Sequence, residues 1–174
     1  MNAALRLSWY KFKHHYMDFI KVLLGIVAFE GLILYIQDKG FLKDFETTRM
    51  TLFLLLFSTS LLIVVQNSIY ISKERSVLNR DFFSGLSRSA FALASMGIHA
   101  FFAVLETIVF ILSYSVFSKF FDKEFPDAGH IFGSYRWEVG ITVLLVFLAS
   151  HFIALFISAL VGKSEITSVI LAVV

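Results

Sequence analysis

Two groups of residues in this chain have the types and spacing to do chemistry. The first lies inside apolar runs. His99 and Glu106 are seven residues apart in one run, almost eclipsed on a helix, with Ser95, Phe102 and Ser113 on the same face. His151 sits in a second run with Ser158 seven further on, and Glu30 interrupts a third. Histidine and carboxylate together can hold or pass a proton. Ionisable groups in such runs belong either on a substrate or proton path or at contacts between helices. The second group is a charged bridge over residues 72–89, S-K-E-R-S-V-L-N-R-D-F-F-S-G-L-S-R-S.

Several other chemistries are excluded. Cysteine is absent, so there is no disulfide, thiolate metal site or thiol nucleophile. His14-His15 has no third ligand at metal spacing. Gly162-Lys163-Ser164 has the ending of a phosphate loop, but Ile157 stands where that motif needs glycine. A nucleophile elbow, a zinc-protease helix and a dinucleotide fingerprint are all missing. The basic residues are too few and too dispersed for nucleic acid. No catalytic, cofactor-binding or metal-binding residue is therefore assigned.

The elements that must position these residues follow from composition. Of 174 residues 58% are hydrophobic and only 16% charged, against about 25% charged in a soluble domain. The runs 20–36, 50–71, 91–117 and 139–161 are long enough to cross a hydrocarbon core of roughly 30 Å at about 1.5 Å per residue. A fifth run, 166–174, stops after nine residues. It reads as the start of a fifth span, and the chain as a truncated one. The expected fold is all-α, a polytopic integral membrane helix bundle.

Residues 1–19 lack the apolar core of a signal peptide. Leu5, Trp9, Phe12, Tyr16 and Phe19 instead form one helical stripe, with Arg6, Lys11, Lys13 and His14 mostly off it. An amphipathic helix lying on the inner leaflet is expected there. In the bridge, Val77, Leu78, Phe82, Phe83 and Leu86 recur at near-helical spacing, so a short amphipathic helix is expected, with Gly85 loosening it before the third run.

Charge sets the orientation. The arm, the bridge and the 162–165 link carry nine basic and four acidic residues, while loops 37–49 and 118–138 carry six and seven. Basic excess marks the cytoplasmic side, so the N-terminus and bridge are expected in the cytoplasm, at a plasma (inner) membrane. Tyr135 and Trp137 are placed as interfacial anchors before the fourth run. In the second run Thr59 pairs by face with Gln66, and Ser60 with Asn67. Such side chains hold helices together at about 0.6 kcal/mol each. Glu30, Gln66, Asn67, His99, Glu106 and His151 are the candidate translocation or interhelical contacts.

Residues 66–92 carry a resemblance. Glu74, Arg75, Val77-Leu78, Arg80-Asp81, Gly85 and Phe91 match the order of a Glu with a basic residue, a hydrophobic pair, a basic-acidic pair, a glycine and an aromatic. That order resembles the end of the second span and the coupling loop of ABCG-like exporter permeases, the White or pigment-transporter subfamily of type-two ABC permeases. Asp81 stands in place of the commoner Glu, and Phe91 in place of the commoner Tyr. The arm resembles the family's connecting helix, and residues 154–174 its fourth-to-fifth span junction. The resemblance implies a six-span permease working as a dimer in the bilayer. ATP and Mg would be bound by an ABC ATPase domain or subunit that pushes on the coupling helix. Glu74, Arg75, Arg80, Asp81 and Gly85 would lie in that relay. Two alternatives stand beside this reading. One is a membrane-embedded enzyme using His99, Glu106 and His151, which requires the three to be close. The other is a structural membrane protein with no transport cycle.

Overall fold

The computed structural model describes residues 2–37, 45–73, 75–122, 131, 133–161 and 165–173. Every regular element among them is helical: α1 (Asn2–Ile36), α2 (Phe45–Asn67), α3 (Tyr70–Lys73), α4 (Arg75–Phe83), α5 (Arg88–Phe120), α6 (Tyr135–Leu160) and α7 (Glu165–Val173). Four segments are long and apolar enough to cross a membrane: Tyr16–Ile36, Phe45–Asn67, Arg88–Phe120 and Tyr135–Leu160. The chain is an integral membrane protein.

The sorting of side chains is the reverse of a soluble core. Leu24, Leu32, Phe57, Leu112, Leu145 and Phe156 point outward, whereas Glu30, Thr59, His99, Glu106, His151 and Ser158 are buried. Lipid solvates the outer side chains at no cost. Polar groups in a hydrocarbon solvent must find partners inside the bundle. α5 packs chiefly on α1 and α6, α2 on α6 and α1, and α7 on α2 and α6. Val22, Ile26, Ile63, Phe110, Val143 and Phe147 fill one core cluster. Ile33, Leu34, Leu55 and Tyr114 fill another.

Close approach of the helices relies on missing side chains. A Cβ added at Gly25 would stand 2.5 Å from Leu62 of α2, and one at Gly140 would stand 2.9 Å from Ile111 of α5. Small residues at such crossings are a common device of membrane bundles.

Three boundaries depart from the sequence reading. Arm and first span form one helix, Asn2–Ile36, with no break near residue 19. Neither proline nor glycine precedes Gly25 in that helix, so nothing locally turns the arm away. The second span ends at Asn67 rather than residue 71. There Ser68 donates through Oγ to the Val65 carbonyl at 2.8 Å and closes the turn before α3 begins. Gly85 terminates α4 instead of loosening it. Its φ is +104°, its N–H donates to the Phe82 carbonyl at 3.2 Å, and the Leu86 N–H donates to the Asp81 carbonyl at 3.0 Å. This paired arrangement is a Schellman stop, which needs a left-handed residue at its hinge. Ser87 then caps α5, accepting from the Ala90 N–H at 3.5 Å. The loops at 38–44 and 123–130, with Pro126 and Gly129, and the 162–164 link lie outside the described residues.

Candidate functional site: the α4 coupling element and its polar tether

α4 is short because a Schellman stop closes it, and amphipathic because its apolar residues fall on two edges. Leu78 turns inward and is buried. Phe83 is 94% exposed, and it shares the outer face of α4 with the exposed Ser76, Val77, Asn79 and Arg80, so that face is mixed and uncovered. Arg80 is exposed beside them and Asp81 half-buried. Glu74 lies outside the described residues.

Two bonds reach the end of α6, one from α4 and one from the neighbouring α3. Arg75 donates from its guanidinium to the Val161 carbonyl. The Ile71 backbone N–H donates to Ser158 Oγ at 2.8 Å. Val161 is the C-cap of α6, so Arg75 satisfies a carbonyl that the helix end would otherwise leave open. Composition showed Arg75 only as a charge on the bridge; its tether depends on where α6 ends, and no motif announces that.

From Ser158 the polar contacts continue along α6 into the bundle. His151, two turns earlier, donates or accepts at both ring nitrogens. Its Nε2 lies 2.8 Å from Glu106 Oε2, and its Nδ1 lies 3.0 Å from His99 Nδ1. All three side chains are essentially sealed, with Glu106 and His151 at 0% exposure. Tyr70 of α3 meets the His99 ring edge-on at 4.9 Å. Further along α5, Ser113 donates to Glu30 of α1. The contacts thus run α4 to α6 to α5, and separately α5 to α1.

The sequence paired His99 with Glu106 by face, and the structure joins them through His151. His99 and Glu106 do not bond each other, as their spacing on one helix demands. Glu30 turns to α5 and not to lipid. Asn67 makes no interhelical bond among the described residues; its Nδ2 donates to the Ile63 carbonyl of its own helix at 2.9 Å. Thr59 likewise bonds back to the Leu55 carbonyl at 2.6 Å. Gln66 is half-buried. Ser60 Oγ, Glu30 Oε1, Ser95 Oγ, His99 Nε2 and Glu106 Oε1 are buried and have no partner.

Compared with known families, residues 5–174 match the family described as ABC-2 type transporter. The chain belongs to the ABC-2 type transporter family. It is the membrane-spanning permease part of such a transporter, and ABC-2 permease domains work with ABC ATPase partners. Neither the curated proteins nor the solved structures compared with it give a match. The membership also bears on the His99–His151–Glu106 group. Its members are close enough for the enzyme alternative, yet an ABC-2 permease domain is a transport component and not itself catalytic. The group is read here as the fastening between α5 and α6.

Proposed function

We propose that this ABC-2 permease is an exporter of the ABCG (White) type in which α4 is the coupling helix. It works as a dimer in a plasma (inner) membrane. Its N-terminus and α4 lie in the cytoplasm. An ABC ATPase, fused or separate, binds ATP and Mg and docks on the Phe83 edge of α4. The displacement it imposes travels through Arg75 and Ile71 into α6, and through His151 into α5. Glu74, Arg80 and Asp81 form the charged part of the docking element, Arg75 ties it to α6, and Gly85 fixes where it ends.

One observation carries this reading: an almost wholly exposed aromatic, Phe83, on the same short helix whose first residue is bonded to the end of a span. Basic excess on the α4 side agrees with a cytoplasmic position. The test is co-expression with the cognate ATPase and reconstitution of the pair. Arg75→Ala is expected to leave ATPase association within twofold and to lower transport per ATP hydrolysed at least fivefold. An unchanged ratio would remove the coupling role.

A further inference from the structure

A cavity of about 630 Å³ lies beneath α4, between that helix and the adjoining ends of α5 and α6. Its size falls within the roughly 300–1,000 Å³ of ligand-binding clefts. Its chemistry is divided along its length. Arg75 and Arg88 stand in its wall, and no aspartate or glutamate among the described residues lines it. Both arginines begin helices, Arg75 at the start of α4 and Arg88 at the start of the α5 span, so both belong at headgroup level. Apart from Asn79 and Ser95 the rest of the wall is apolar, with Phe91, Leu155 and Phe156 prominent. Met96 and Phe156 are exposed on the outer surface, so the cavity is flanked on the lipid side. Ser95 also lines it, two turns or about 10 Å past Arg88. That side chain is 2% exposed, and its Oγ has no partner.

Both arginines keep donors to spare. Arg75 spends one on the Val161 carbonyl. Arg88 lies over the Phe82 ring at 5.6 Å from its centroid, a contact that uses none of its N–H donors. A guanidinium carries five N–H donors in a planar fork suited to phosphate. Two such forks above a largely apolar trough that borders the bilayer fit an amphiphile with an anionic head.

We propose that this cavity binds an anionic phospholipid from the leaflet on the α4 side. The phosphate lies between Arg75 and Arg88. One acyl chain follows Phe91, Leu155 and Phe156, and Ser95 Oγ donates to a glycerol ester carbonyl. The lipid fills the space under α4 and stiffens its seat on α5 and α6. Arg75 serves both this site and the coupling role proposed above, and the two are told apart because binding is read without an ATPase.

The test is native mass spectrometry of the purified full chain, released from nanodiscs of equal parts phosphatidylglycerol and phosphatidylcholine. Phosphatidylglycerol is expected to be retained at least fivefold over phosphatidylcholine. The double substitution Arg75→Gln/Arg88→Gln is expected to reduce that preference below twofold. Ala92→Trp, which fills the cavity from an exposed lining position, is expected to do the same with both arginines intact. It decides the matter if the double variant is not monodisperse. A photoreactive analogue at Met96 should crosslink to lipid. Equal retention of the two lipids, or a preference that survives Ala92→Trp, overturns the proposal. So does crosslinking of Met96 to a second copy or another polypeptide.

Discussion

His151 is bonded at both ring nitrogens inside a sealed interior, so its removal strands two partners at once. His151→Leu leaves Glu106 Oε2 and His99 Nδ1 without the contacts they have now. A buried polar group left unsatisfied costs about 1–3 kcal/mol, and His151→Leu is expected to lower stability in detergent by about that much. Glu106→Leu combined with His151→Leu should cost less than the two single changes summed, as thermal unfolding of the four variants would measure. Strict additivity would mean that the pair is not coupled. Gly85→Ala addresses a different residue property. A side chain at φ +104° meets a penalty of about 1–2 kcal/mol, so α4 should end less sharply and the thermal midpoint should fall. An unchanged midpoint would show that the turn relaxes without strain. At this scale much was legible in the sequence. The shared face of His99 and Glu106 follows from helical periodicity alone. The link through His151 does not, because a sequence gives the face of each helix but not the rotation of one helix against another. The local bond of Asn67 to the Ile63 carbonyl is not legible from its face either. An amide side chain one turn from its own carbonyl has a local partner that competes with a distant one.

α4 is the element on which the functional reading turns. Its outer edge contributes little to the fold, since Phe83 is almost wholly exposed. Surface substitutions of this kind usually change stability by less than about 0.5 kcal/mol. Phe83→Ser is therefore expected to leave the thermal midpoint unchanged and to weaken capture of the ATPase partner at least fivefold in a pull-down. Loss of both together would place Phe83 in the fold instead. The existence of a short amphipathic helix in the bridge was readable from the spacing of Val77, Leu78 and Phe82. Its division into an inward Leu78 and an outward Phe83 was not, because both fit one broad apolar stripe. The run of α1 through residue 19 was hidden by composition. A shift from amphipathic to uniformly apolar residues looks like a boundary, yet backbone continuity is broken only by proline, glycine or an inserted group.

For the whole molecule, the bilayer replaces the hydrophobic effect with packing as the force between helices. At Gly25 α1 meets Leu62 of α2, where an added Cβ would stand 2.5 Å from the Leu62 side chain. Gly25→Leu is expected to separate them and lower the yield of folded, monodisperse protein several-fold, whereas Gly97→Leu, with open space beyond its Cβ position, should not. Equal yields would show that the crossing adjusts freely. The number of spans and the all-helical class were legible because length and apolarity alone set them. Which helices touch was not, since the outward faces are as hydrophobic as the inward ones and carry no pattern to read. Orientation is the property on which the coupling account stands, and the chain offers a clean probe of it. It contains no cysteine, and Arg80 on α4 is exposed. Arg80→Cys, treated with a membrane-impermeant maleimide, is expected to stay unlabelled in intact cells and to label fully once the membrane is opened. Labelling in intact cells would put α4 outside, away from any ATP-hydrolysing partner, and would contradict the account.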